Sequence, residues 1–102
     1  GHNVYPSSIE AALCQHGAVV SCAVVGIKKD ENSNGQIAKA FVVLKPEYAN
    51  QREVVERELR ELLLRKLPER DQAEEYEFIE ALPLTLVGKV DYRALEKEAE
   101  KL

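Results

Sequence analysis

Val19-Val20-Ser21-Cys22-Ala23-Val24-Val25-Gly26-Ile27 is an almost wholly apolar run rich in β-branched side chains. A strand with one wet face alternates apolar and polar residues, whereas a strand covered on both faces reads as continuous apolar chain. The run therefore predicts a strand buried on both sides. Lys28 to Gln36 follows as a polar loop with Asn34-Gly35 as its turn signal. Ala40 to Leu44 repeats the continuous pattern, so a second buried strand is expected as the antiparallel partner of the first, ended by Pro46.

Helices are expected on either side of this pair. Upstream, Pro6-Ser7-Ser8-Ile9-Glu10 has the layout of a helix start, with Ser7 placed to cap the first turn and Glu10 to return the bond. Ile9, Leu13 and His16 then share a face, and Gly17 supplies the stop. Downstream, Asn50-Gln51-Arg52-Glu53 is a second capping-box pattern, and the helix behind it carries Val55, Leu59, Leu62 and Leu63 on one side. Its other side is charged. Glu53/Arg57, Glu56/Arg60 and Glu61/Arg65 stand four apart in the favourable order, each pair adding about 0.3 kcal/mol, which reads as a solvated face.

Leu67-Pro68 ends that helix. Tyr76 to Leu82 alternates as a third strand, with Tyr76, Phe78, Glu80 and Leu82 on one side. Asp91 is placed to cap a last helix, along which Tyr92, Leu95, Ala99 and Leu102 recur at helical spacing. The order α-β-β-α-β-loop-α predicts an α+β domain over residues 1–102: a small mixed β-sheet of about three main strands flanked by helices.

Composition narrows the function. With 45% apolar residues among 102, the chain can bury a modest core without staples. A net charge of −4 lacks the basic excess of a nucleic-acid footprint. No stretch approaches the roughly 18 apolar residues of a transmembrane segment, and Gly1-His2-Asn3 lacks the layout of a signal peptide, so a cytoplasmic location is expected. Cys14 and Cys22 read as two small core residues; with His2 and His16 they show no metal-ligand spacing, and no metal site is predicted.

One stretch fits neither helix nor strand: Pro83-Leu84-Thr85-Leu86-Val87-Gly88-Lys89-Val90. It is apolar, yet its place between strand and helix makes it a surface loop. Pro83 fixes the chain's exit from the sheet, and Gly88 allows positive φ or a close backbone approach just before Lys89. That arrangement presents an ammonium at a tip. A phosphate-cradling loop is excluded on residues, because Pro83 stands where its first glycine belongs and Val90 replaces the magnesium-binding hydroxyl. If Lys89 acts on phosphate, another domain must hold the nucleotide.

Pro83-x4-Gly88-Lys89-Val90-Asp91-Tyr92-Arg93-Ala94-Leu95 resembles the C-terminal lysine motif of the adenylate-forming enzymes, which include acyl-CoA synthetases, luciferases and peptide-synthetase adenylation domains. Gly1 to Glu10 is similar to the segment after the interdomain hinge of those enzymes. Ala23-Val24-Val25-Gly26 and Ala40-Phe41-Val42-Val43-Leu44 match the strands expected between them. Ser8 and Asn3 depart from the pattern, since many members carry an acidic and a basic residue there.

The resemblance is closest to an acyl-CoA synthetase and implies an AMP-forming acid-thiol ligase that uses ATP, Mg2+, coenzyme A and a carboxylic acid. It implies Lys89 as the adenylation lysine, with Pro83 and Gly88 supporting its loop. It also implies that domain rotation brings Gly1, His2 and Asn3 to the coenzyme A channel. The N-terminal domain, holding ATP and acid, would precede Gly1, so the isolated domain should be inactive and bind no cofactor tightly. Two alternatives are a peptide-synthetase adenylation subdomain and a stand-alone ligand-sensing or docking module.

Overall fold

The computed structural model describes residues 6–28, 36–68 and 72–100. Its elements run α1 (Pro6–Leu13), β1 (Val19–Lys28), β2 (Gln36–Leu44), a 3-10 turn at Pro46–Tyr48, α2 (Arg52–Lys66), β3 (Ala73–Phe78) and α3 (Tyr92–Glu100). The strands form one mixed sheet in the order β1-β2-β3, with β1 antiparallel and β3 parallel to β2.

The sheet is the middle of three layers. On one face Cys22 and Val24 of β1, with Ala38, Ala40 and Val42 of β2, pack against Ile9 and Leu13 of α1 and Val55, Leu59 and Leu63 of α2. On the other face Ala23, Val25, Ile27, Ile37 and Phe41 pack with Leu95 of α3. Successive strand residues point to opposite faces, so two covered faces require apolar side chains at every position. That requirement explains the unbroken apolar residues 22–25 and 40–42, where Phe41 and Val42, neighbours on opposite faces, are both 0% exposed. Val20, near the start of β1, is 58% exposed, which corrects the expectation of a strand covered on both sides throughout.

Several local expectations are corrected. β2 begins at Gln36 rather than Ala40, because Lys39 does not break it. The Lys39 stem lies beside Phe41, with Nζ 5.1 Å from the ring centroid, and its ammonium reaches Glu77 Oε1 at 3.0 Å. A long cationic side chain can bury its methylenes while keeping its charge paired at the rim. β3 occupies Ala73–Phe78 rather than Tyr76 to Leu82. Its ladder closes where Ile79 N donates to Val42 O at 2.9 Å, so Glu80 leaves the sheet and is exposed rather than set among Tyr76 and Phe78.

Neither capping box forms as read. α1 begins at Pro6, a residue whose fixed φ suits the first helical position, and Ser7 lies inside the helix. α2 has Gln51 as its N-cap with no side-chain bond, and Val55 N donates to Gln51 O at 2.9 Å. Of the three spaced ion pairs, Glu56–Arg60 closes at 3.0 Å, and Arg60 also stacks 4.7 Å from the Tyr76 ring centroid. At the far end of α2 the Gln72 side-chain amide donates to the carbonyls of Leu63, Leu67 and Pro68. The Leu63 carbonyl also accepts Leu67 N at 2.9 Å, so Gln72 adds a second bond there and ties the chain beyond the helix to its last turn.

α1 ends at Leu13, so His16 lies beyond the helix, in a turn made by Gln15 N to Ala12 O and His16 N to Leu13 O. There Ala18 N donates to His16 Nδ1 at 3.0 Å, and Nε2 stands 2.7 Å from Glu58 Oε1. The imidazole thereby joins the turn to α2. Cys22 is buried but Cys14 is exposed, which corrects the reading of both as core residues: Cys14 stands just past the end of α1, at the rim of the core, where its sulfur meets that of Cys22.

Leu59 and Leu64 lie on the same helix at 0% and 63% exposure, so truncating each isolates burial from helix propensity. Leu59→Ala should cost about 2–5 kcal/mol and Leu64→Ala less than about 0.5 kcal/mol in urea unfolding. Equal costs would mean that α2 does not pack as described.

Candidate functional site

The segment between β3 and α3 is the expected surface loop, and within it the chain folds back as a miniature hairpin. Leu84 and Val90 form an antiparallel bridge. Thr85 N donates to Lys89 O at 2.7 Å, Gly88 N to Thr85 O at 3.0 Å, and Asp91 N to Pro83 O at 2.9 Å. A turn bond between the first and fourth residues, followed by glycine at positive φ, is a common way to join two strands. Gly88 has φ +84°, and a Cβ there would meet nothing within 4 Å. Of the two roles read for it, conformational freedom therefore applies within this chain, and close approach does not.

Lys89 follows immediately and is exposed. Its amide donates to Thr85 Oγ1 at 3.3 Å, and its carbonyl accepts the Thr85 amide, so both ends of its backbone are fixed to one residue. Among the described residues its ammonium has no carboxylate partner. Leu84, Leu86 and Val87 beside it are 62%, 107% and 80% exposed. The result is a hydrogen-bonded stem that displays, among the described residues, an unpaired cation between uncovered apolar side chains.

The base of the hairpin is tied to the rest of the fold. Val90 and Leu82 pack against the Phe41–Leu95 cluster. Asp91 caps α3 as expected, its Oδ1 accepting from Ala94 N at 3.1 Å. Tyr92, expected in the core, is 40% exposed because its hydroxyl is taken by the Glu10 carboxylate, at 3.0 Å from each oxygen. The same carboxylate accepts Val24 N at 2.9 Å. Burial, then the hydrogen bond and charge of Glu10, push the Tyr92 phenol up to about 12. The neutral hydroxyl is the form that donates, so this contact is held below pH ~10 and lost as pH rises toward 12.

Glu10 and Thr85 were not singled out as support for the site. Thr85 carries a local signal, since small hydroxyl residues favour the first position of such a turn. The partners of Glu10 lie 14 and 82 residues away, and no local pattern encodes them. Pro83 and Gly88 stand at the stem and turn of the Lys89 hairpin, whereas Gly1, His2 and Asn3 lie outside the described residues. Among the described residues no three His, Cys, Asp or Glu side chains cluster as metal ligands.

A family model described as the AMP-binding enzyme C-terminal domain matches residues 8–89. The chain belongs to that family. Similar members of known sequence include a Bacillus subtilis long-chain-fatty-acid–CoA ligase, 37% identical over 98% of this chain and 17% of the relative. The human mitochondrial acyl-coenzyme A synthetase ACSM1 is 30% identical over 96% of this chain and 17% of its own length. Among solved structures, a Brucella canis acyl-CoA synthetase superimposes with a TM-score of 0.82 at 34% identity, covering 96% of this chain and 18% of that one. A Mycobacterium tuberculosis fatty acyl CoA synthetase gives 0.81 at 33% identity, covering 96% and 18%. This AMP-binding enzyme C-terminal domain thus spans about a sixth of the curated relatives it matches.

An L-residue with a Cβ is strained by about 1–2 kcal/mol in the left-handed region. Gly88→Ala should therefore open the hairpin locally and speed hydrogen exchange at the Thr85 amide by about 5–30-fold. Gly88→Asn, whose short polar side chain tolerates that region, should fall between. Unchanged Thr85 exchange in Gly88→Ala would show that the turn does not require positive φ.

Proposed function

We propose that residues 1–102 act as the C-terminal domain of an AMP-forming acyl-CoA synthetase, and that Lys89 is its adenylation lysine. The observation that carries this reading is the Lys89 ammonium, unpaired among the described residues, on a hairpin whose Thr85, Gly88 and Lys89 amides are all engaged internally. Such a loop has little backbone left to wrap a triphosphate but offers one well-placed charge. ATP, its Mg2+ and the carboxylic acid are accordingly assigned to an N-terminal domain of the same polypeptide. The small share of each relative that this chain covers supports such a partner.

When the acid attacks the α-phosphate, negative charge gathers on the phosphorus oxygens, and an ammonium already aimed there stabilises the transition state without reorganising. Lysine suits the task as a compact charge on a flexible stem. Leu84, Leu86 and Val87 would be covered as the domains close, which excludes water and strengthens that charge. Rotation would then withdraw the hairpin and bring Gly1, His2 and Asn3 to the thiol of coenzyme A. The relatives reported above are named for coenzyme A, which favours that acceptor over a tethered carrier. A cytoplasmic location belongs to the same reading; no described helix is long and apolar enough to cross a membrane.

In the full-length enzyme, Lys89→Ala should lower pyrophosphate exchange into ATP by about 10²–10³-fold. Thioester formation from pre-made acyl-adenylate should change little, because the hairpin has left before the thiol attacks. Equal losses in both half-reactions would remove the case for a lysine used in one conformation.

A further inference from the structure

Cys14 and Cys22 take no part in the chemistry above, yet the fold sets their sulfurs 3.3 Å apart. Cys14 follows the last residue of α1, and Cys22 sits in β1 opposite Val42. Both backbones are anchored. Cys14 N donates to Glu10 O at 3.0 Å, the following turn is held at Gln15, His16 and Val19, and β1 is fixed by its ladder. A disulfide needs about 2.05 Å between sulfurs, so closure requires a shift of little more than an ångström at one end of a short helix.

The two thiols differ in access. Cys14 is exposed and Cys22 is 7% exposed beneath the end of α1. Burial, then the hydrogen bond to Cys14, push the Cys22 thiol up, so it stays protonated. Its weak bond to Glu10 O, 3.6 Å from the sulfur, is dispensable because that carbonyl also accepts Cys14 N. One sulfur is thus open to an oxidant, and the other waits in contact with it.

We propose that Cys14 and Cys22 form a reversible oxidation site, in which a hydroperoxide converts the pair into an intramolecular disulfide that pins the end of α1 to β1. The Cys14 thiolate, its proton given to solvent, attacks one peroxide oxygen and the O–O bond breaks. Cys14 becomes a sulfenic acid as the departing hydroxide takes a proton back from solvent to leave as water. The Cys22 sulfur then attacks Cys14 Sγ, the S–S bond forms and the S–O bond breaks. The departing hydroxide takes the Cys22 proton as a second water. Two thiols lose two electrons and two protons, and hydrogen peroxide becomes two waters. The bridge spares Cys14 the irreversible sulfinic stage, and a dithiol reverses it.

The test treats the 102-residue chain with hydrogen peroxide in the presence of dimedone, which traps sulfenic acid, and maps the peptides by mass. Under native conditions a monomeric Cys14–Cys22 cross-link reversed by dithiothreitol is expected. Its ratio to dimedone-trapped Cys14 should exceed that in urea by at least about tenfold, because only the fold holds the sulfurs together. In Cys22→Ser, which keeps the size of the side chain, Cys14 should carry dimedone or advance to sulfinic acid. An equal ratio in urea would overturn the proposal. So would trapped Cys14 beside a free Cys22 in the native chain, or a cross-link only between molecules.

Discussion

β1 lies at the edge of the sheet, and the constraint on which the arrangement depends is how that edge is closed. An edge strand presents amides that ladder bonds cannot satisfy, and an uncovered edge invites pairing with another chain. Here Glu10 closes it. Its carboxylate leaves α1 on one face of the sheet, takes the outward amide of Val24, and receives the hydroxyl of Tyr92 from α3 on the other face. One side chain therefore clasps three layers around a single edge. α3 follows directly from the Lys89 hairpin, so the same contact fixes the helix from which that hairpin springs.

The readable part of the fold was what two covered faces impose on sequence. Residues 22–25 and 40–42 are apolar without a break because α1 and α2 occupy one side of them and α3 the other, whereas Val20, 58% exposed, lies beyond that cover. Asp91 was readable for a similar reason, since a cap acts on amides within its own turn. What escaped was set by residues distant in sequence. Lys39 lies within β2 although charged, because Glu77, its partner, belongs to the third strand. Glu10 looked like half of a capping box because its true partners lie across the sheet edge. The third strand was misplaced because alternation alone cannot show where the Val42 carbonyl ends the ladder.

The site divides in the same way. Gly88-Lys89 was visible as a glycine-preceded cation, and Gly88 at φ +84° explains why glycine stands there. The hairpin bonds from Thr85 were not visible, although they turn an apolar loop into a stem that holds the Lys89 backbone in place. On the proposed reading these bonds fix the backbone from which the ammonium would reach the reacting phosphate, leaving only side-chain freedom to be lost. On the same reading, the exposed Leu86 and Val87 are surface for a closing domain rather than misplaced core.

The clasp is tested most directly by a double-mutant cycle on Glu10→Ala and Tyr92→Phe, measured by urea unfolding. A hydrogen bond to a carboxylate typically contributes about 1.5–3 kcal/mol, and solvent at the half-exposed Tyr92 reduces this. The account predicts a favourable coupling of about 0.5–1.5 kcal/mol between the two positions. Strictly additive losses would contradict it, showing that α1 and α3 are held to the edge strand independently.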